Sequence, residues 1–226
     1  MTTSLFEWNP EVMPTIANVP APTLYVAVRN ACIRFCEKTH LWTNTLDDFD
    51  VDADTADYTL TIPEALYAEL IGLPKYAVKY KEDGEEDDQF NDLTLTSETD
   101  LEALSSAWKS ATSDIPNKYW MDNIDKQLHL YPIPEDASTE GLRVKVLLKP
   151  NRTCTTVPDF LYLDHSDIIT HGVLSDLFKR TAMPWYNEEA YKSHEFMFLN
   201  GCSNQKMKEF TGPTNKVTSV SVGYFA

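Results

Sequence analysis

The spacing of apolar residues changes twice along this chain, and each change marks a change of architecture. From Thr23 to about Leu41, the residues Leu24, Val28, Ala31, Phe35 and Thr39 recur at three- and four-residue steps. That spacing predicts a helix with one buried stripe and Thr23 as its N-cap. From Thr45 the pattern shortens to alternation. "DYTLTIP" ends on a proline, "KYAVKYKEDG" stops in a charged turn, and "KYWMDNIDKQLHLYPIP" reads as two strands about the polar residues 122–126. "LRVKVLLKP", with β-branched residues on a period of two, is the most strand-like piece. Between these runs, "ETDLEALSSAWKSA" predicts a short helix with Leu101, Leu104 and Trp108 on one face.

After "VPDF" the helical period returns. Asp164 to about Arg180 reads as one helix closed by Pro184, and a second starts from Asn187 as N-cap with two glutamates in its first turn. The ends differ from the middle. Four prolines in the first twenty-two residues predict an extended arm, and "KVTSVSVGYF" alternates like a strand with no hairpin partner beside it. The expected fold class is therefore α+β. A helical body (residues 23–44 and 159–210: an N-terminal helix plus two C-terminal helices) carries a β-rich inserted lobe of five or six strands at 45–158. Extended terminal arms lie at 1–22 and 211–226.

Composition adds one strong fact. The formal charge is −16, and residues 46–102 hold 18 Asp/Glu against three Lys, so nearly all the excess acid sits in the lobe. Such a surface repels phosphate and argues against a domain that grips DNA or RNA. The 42% hydrophobic content is that of a chain with a real core, and no run is apolar enough to span a membrane. "MTTSLFEWNPEVMP" lacks the basic start and apolar block of a signal peptide, and four scattered cysteines fit a reduced, cytoplasmic thiol state.

Candidate chemistry fails on geometry. "DHSDIITHGVLSDLF" brings Asp164, His165, Asp167 and His171 together, the makings of a metal-dependent hydrolase. On one helix, however, His165 and His171 are about 120° apart and cannot share an ion, while Asp167 and His171 face each other at i,i+4. Meanwhile Ile168, Ile169, Val173, Leu174, Leu177 and Phe178 cover most of the circumference, as on a helix buried from several sides. The run "DDFDVDADTAD" does not fit a calcium loop: counting from Asp48 or from Asp50, the sixth position is Ala53 or Thr55 and the twelfth Thr59 or Thr61, instead of Gly and Glu. Cys32 and Cys36 lie one turn apart and read as packed thiols. No nucleotide, hydrolase or zinc-protease fingerprint occurs. No catalytic residue, metal or cofactor is expected.

The order of segments carries the remaining information. A helix ending "ACIRFCEKTHLW" precedes "ADYTLTIP". Then comes "KYWMDNIDKQLHLYPIPEDASTEGLRVKVLLKPNRTCTTVPDFLYLDHSDIITHGVLSDLF", and "PWYNEEAYKSHEFMF" closes the series. This series, from Pro22 to Phe210, resembles the head-to-tail adaptor (head-completion) proteins of short-tailed bacteriophages. The resemblance implies a non-enzymatic virion protein at the head–tail junction, present in the host cytoplasm during assembly. It implies a ring of copies of this chain, usually a dodecamer, that docks beneath the portal protein, receives the tail nozzle or tail fibre proteins, and passes packaged DNA through its channel without specific binding. In that setting the apolar helix residues Ile168 to Phe178 become a candidate subunit interface. The residues Val217, Val220, Val222, Tyr224 and Phe225 become a candidate portal-contacting arm. The acidic segment matches no part of the resemblance, and an acidic decoy that mimics DNA is the competing reading.

Overall fold

A computed structural model describes residues 1–82, 84, 89–122 and 125–211, with side chains as far as residue 208. The chain divides into two units, Met1–Leu41 together with the chain from Thr155, and Trp42–Cys154. The portal-arm candidates Val217, Val220, Val222, Tyr224 and Phe225 lie outside the described residues.

The first unit opens with strand β1 (Thr2–Ser4), a 3-10 turn over Leu5–Trp8, helix α1 (Asn9–Val12) and helix α2 (Ala21–Thr39). The expected extended arm is thus folded. Leu5, Trp8, Val12, Ile16 and Val19 are all buried, and that apolar series outweighs the prolines between them. Helix α2 starts two residues before the expected Thr23 cap, because Pro20 supplies an extended entry and Pro22 sits in the first turn, where its missing N–H costs nothing. Its predicted stripe of Leu24, Val28, Ala31, Phe35 and Thr39 is buried, with Cys32 and Cys36 beside it. His40, at φ 60°, ends the helix by turning left-handed and donating its N–H to Cys36 O.

The second unit is the β lobe. It runs through β2 (Thr43–Thr45), β3 (Phe49–Val51), β4 (Asp57–Thr59), β5 (Ala68–Gly72), β6 (Val78–Tyr80), β7 (Asn91–Asp92) and β8 (Thr94–Leu95). Helix α3 (Glu98–Leu104) follows, then β9 (Thr112–Ser113), β10 (Lys118–Met121), β11 (Gln127–Tyr131), β12 (Ile133–Pro134) and β13 (Ser138–Pro150). Twelve strands among the described residues replace the expected five or six, because most are two- or three-residue pairings too short to show a period.

Strand β13 organises this lobe. It pairs antiparallel with β2, β3, β5 and β6, and its inward residues Leu142, Val144, Val146 and Leu148 are fully buried. Each such side chain contributes about 1.5–3 kcal/mol on burial. Its register shifts between Ser138 and Leu142, where Ser138 Oγ donates to Lys81 O at 2.7 Å. Gly141 is required there, since a Cβ would lie 2.5 Å from Ser138 Oγ. A second sheet has the order β4-β11-β10-β8, and β12 pairs with β9. The Leu101 face of α3 is buried as expected, but Leu104 is exposed, because the helix ends there and Trp108 belongs to a separate 3-10 turn.

The chain then returns to the first unit. Strand β14 (Thr156–Pro158) pairs with β1, and α4 (Asp159–Leu163), α5 (Ser166–Phe178) and α6 (Glu188–Thr211) follow. Asn187 caps α6 as predicted, its Oδ1 accepting from Ala190 N at 3.0 Å. The helix expected from Asp164 to about Arg180 is α5, which starts two residues later. His165, at φ −134° and ψ 11°, stands at the N-cap between α4 and α5 instead of inside a helix.

Candidate assembly surface

Helix α5 is the centre of the first unit. Ile169, Val173, Leu174, Leu177 and Phe178 are buried within the chain, and Ile168 is half-buried. The apolar circumference read from the sequence is therefore satisfied by α1, α2, α4 and α6 of the same chain. As a subunit interface this set is corrected: five of its six side chains have no surface to offer a neighbour. Glycines set how closely the helices approach. A Cβ on Gly172 would lie 2.8 Å from Phe198 and 3.2 Å from Ala31, and one on Gly201 would lie 2.9 Å from Ile168.

Polar groups tie the same three helices together. Glu195 of α6 pairs with Arg34 of α2 through one carboxylate oxygen, and accepts from the buried Ser175 hydroxyl of α5 through the other at 2.6 Å. The Arg34 guanidinium also lies 4.7 Å from the centre of the Phe198 ring. Asp176, nearly fully buried, is paired with Lys179 and Arg180. Burial pushes its carboxyl up, but the hydrogen bonds from Lys179 and Arg180 outweigh that and hold it below the usual range.

The histidines do not form the site their spacing invites. His165 packs against Phe35 at 4.9 Å and Phe160 at 6.1 Å. The expected pairing of His171 with Asp167 gives way to a hydrogen bond with His194, Nδ1 to Nδ1 at 2.9 Å, in which one imidazole donates and the other accepts. His194 in turn stacks on Phe178 at 5.7 Å. Among the described residues, no group of three or more His, Cys, Asp or Glu side chains is placed to hold a metal ion. The four cysteines are buried; burial drives the Cys36 thiol far up and pushes Cys202 up to about 11, so neither of these two is a ready nucleophile.

Burial holds all three imidazoles below the ordinary value. Asp164 opposes the effect at His165 and Lys208 adds to it; Asp167 opposes it at His171; His171 adds to it at His194. Unfolding restores them to about 6.5. Their contribution to stability is thus fully present above about pH 6.5 and is lost as pH falls below it, since the unfolded chain then binds protons that the folded one excludes. Asp176 acts separately, at the lower pH where carboxylates titrate. The urea midpoint of the wild type is expected to drop from pH 7.5 to 5.5 by more than that of a His171→Gln, His194→Gln double variant. Equal drops would contradict this account.

Helix α6 carries an exposed apolar face. Phe196 is 71% and Met207 65% exposed, and Leu199, also exposed, and Ser203 continue the same stripe at i, i+3, i+7 and i+11. Met197 flanks it. Phe198 and Cys202, on the opposite side of the helix, are buried. The spacing of Phe196, Leu199 and Met207 is legible in the sequence. Periodicity alone does not say which of two apolar stripes on one helix faces the core.

In the β lobe part of the aspartate-rich run is engaged in internal bonds. Arg143 grips Asp48 with two nitrogens, at 2.9 Å and 2.6 Å, and Asp50 accepts from Glu140 N at 2.8 Å. Lys79 and Lys149 pair with Asp92 and Glu69. Among the described residues no helix is long and apolar enough to cross a membrane.

No curated protein matches the chain in sequence. The family model described as SU10 adaptor protein matches residues 11–214, which takes in helices α2 to α6 and the whole β lobe. The chain therefore belongs to the SU10 adaptor protein family and is a structural protein of the phage head-to-tail adaptor type.

Proposed function

We propose that copies of this chain assemble into a ring, twelve in the full assembly, at the head–tail junction of a short-tailed phage. The ring docks beneath the portal, receives the tail nozzle and continues the DNA channel. The observation that carries the proposal is the exposed apolar stripe of α6. An isolated surface helix seldom leaves Phe, Leu and Met in a row, and such a patch marks a protein–protein contact. It replaces the α5 residues as the candidate subunit surface. The segment 211–226 remains our candidate for the portal contact, through Val217, Val220, Val222, Tyr224 and Phe225. The acidic decoy has less support, because Asp48, Glu69, Asp92 and Glu98 are bound to the lobe's own basic side chains and are not arrayed as free charges.

Electron microscopy of the protein mixed with portal assemblies tests this reading. Wild type is expected to form closed rings. Phe196→Asp with Met207→Asp, both exposed and so compatible with folding, is expected to abolish ring formation. Rings formed equally by that variant would overturn the assignment of α6. Truncation after residue 210 is expected to lose portal binding while the circular dichroism of the unit is kept.

A further inference from the structure

The β lobe holds a cleft of about 510 Å³ between its second sheet and the turn after α3. Its floor is a stack of rings. Trp120 lies flat on His129, with centres 4.6 Å apart and planes 12° apart, and Trp108 meets Trp120 edge to face at 5.2 Å. Asp57 fixes the imidazole by a 2.6 Å hydrogen bond to Nδ1, so the stack is set before any ligand arrives. Four carboxylates line the cleft: Asp54, Asp57, Glu98 and Asp122, the last also accepting from Asp125 N. Against them stands one lining lysine, Lys109.

The chain's own cations show what the rings accept. Lys109 Nζ sits 5.2 Å from the centre of Trp108 while paired with Glu98 at 3.3 Å, and Lys118 Nζ lies 5.9 Å from the centre of Tyr131, another lining residue. An ammonium held by an aromatic face and a carboxylate together is the recognition pattern of a cation site. Lys109 is largely exposed, and its long stem can swing aside.

We propose that this cleft binds an arginine or lysine side chain presented by a partner protein, which displaces Lys109 from Trp108 and Glu98. The excess of carboxylates sets the sign of the ligand, and the rings favour a flat guanidinium over a fully hydrated metal ion. That the cation comes on a protein rests on the adaptor reading. The cation preference does not, so the two fail separately.

The test is a fluorescence titration of the full chain with the peptide acetyl-Gly-Arg-Gly-amide, its citrulline counterpart and free methylguanidinium. The arginine peptide is expected to shift tryptophan emission saturably and to bind about tenfold or more tighter than the citrulline peptide. Asp57→Asn is expected to weaken it about tenfold, by removing a charge and freeing His129. Lys109→Gln is expected to tighten it severalfold, whereas Lys79→Gln, the same charge change at a residue that does not line the cleft, leaves it within twofold. A citrulline peptide that binds equally well, or a Lys109→Gln variant that binds no tighter than wild type, would overturn the cation site. Methylguanidinium binding as tightly as the peptide would overturn the protein origin of the cation.

Discussion

Gly172→Leu is expected to destabilise the helical unit by about 3 kcal/mol, read as a fall in the urea midpoint at constant slope. The glycine lies on α5 where α2 and α6 both close in, and even a single added carbon would stand 2.8 Å from the buried Phe198 ring and 3.2 Å from Ala31. Neither neighbour is a flexible tip that can turn away. Gly172→Ala separates sterics from propensity. On an open helix face that change gains about 1 kcal/mol; at this crossing the overpacking exceeds the gain, and a net loss of about 1 kcal/mol is expected. Combining Gly172→Leu with Phe198→Ala, which empties the space, should cost less than the two single changes added together. A Gly172→Ala variant more stable than wild type would show that α5 does not pack as closely as described.

That crossing also marks the limit of what the sequence discloses. The stripe of α2 and the alternation of β13 were legible because each element buries one face, and burial of one face leaves a period. Helix α5 buries nearly all round, so it carries no direction. The same apolar residues fit a subunit interface or a core, and the helices of its own chain decide for the core. The break between α4 and α5 at His165 leaves no mark either, since neither glycine nor proline stands there. The His171–His194 bond joins residues 23 apart on two helices, and their meeting depends on the register between α5 and α6. The cleft of the β lobe gathers residues from four separate strands and turns, with Asp57 meeting His129 across 72 residues. Local period predicts elements; it does not predict which ends of them converge.

The second large effect is expected from Glu195→Ala, at about 3 kcal/mol. From α6 this carboxylate hydrogen-bonds to both α2 and α5, and its removal strands two partners at once. The Ser175 hydroxyl, fully buried, would keep no acceptor, at a cost of about 1–3 kcal/mol. Arg34, about one quarter exposed, would retain only the Phe198 ring beneath it and part of its hydration. A double-mutant cycle between Glu195→Ala and Arg34→Ala isolates the ion pair. Because both groups are largely shielded, a coupling of about 1 kcal/mol or more is expected, above the few tenths typical of an exposed pair, and it should persist in about 0.5 M salt. Replacing Arg34 and Glu195 together by leucine should recover much of the loss, since neither charge is then left without its counterpart. A coupling that vanishes in salt would place the pair in solvent and leave α6 held to the unit by its apolar face and its hydrogen bonds to α5. In that case the exposed stripe on the other side of α6 would sit on a helix less firmly held, a poorer base for a ring contact.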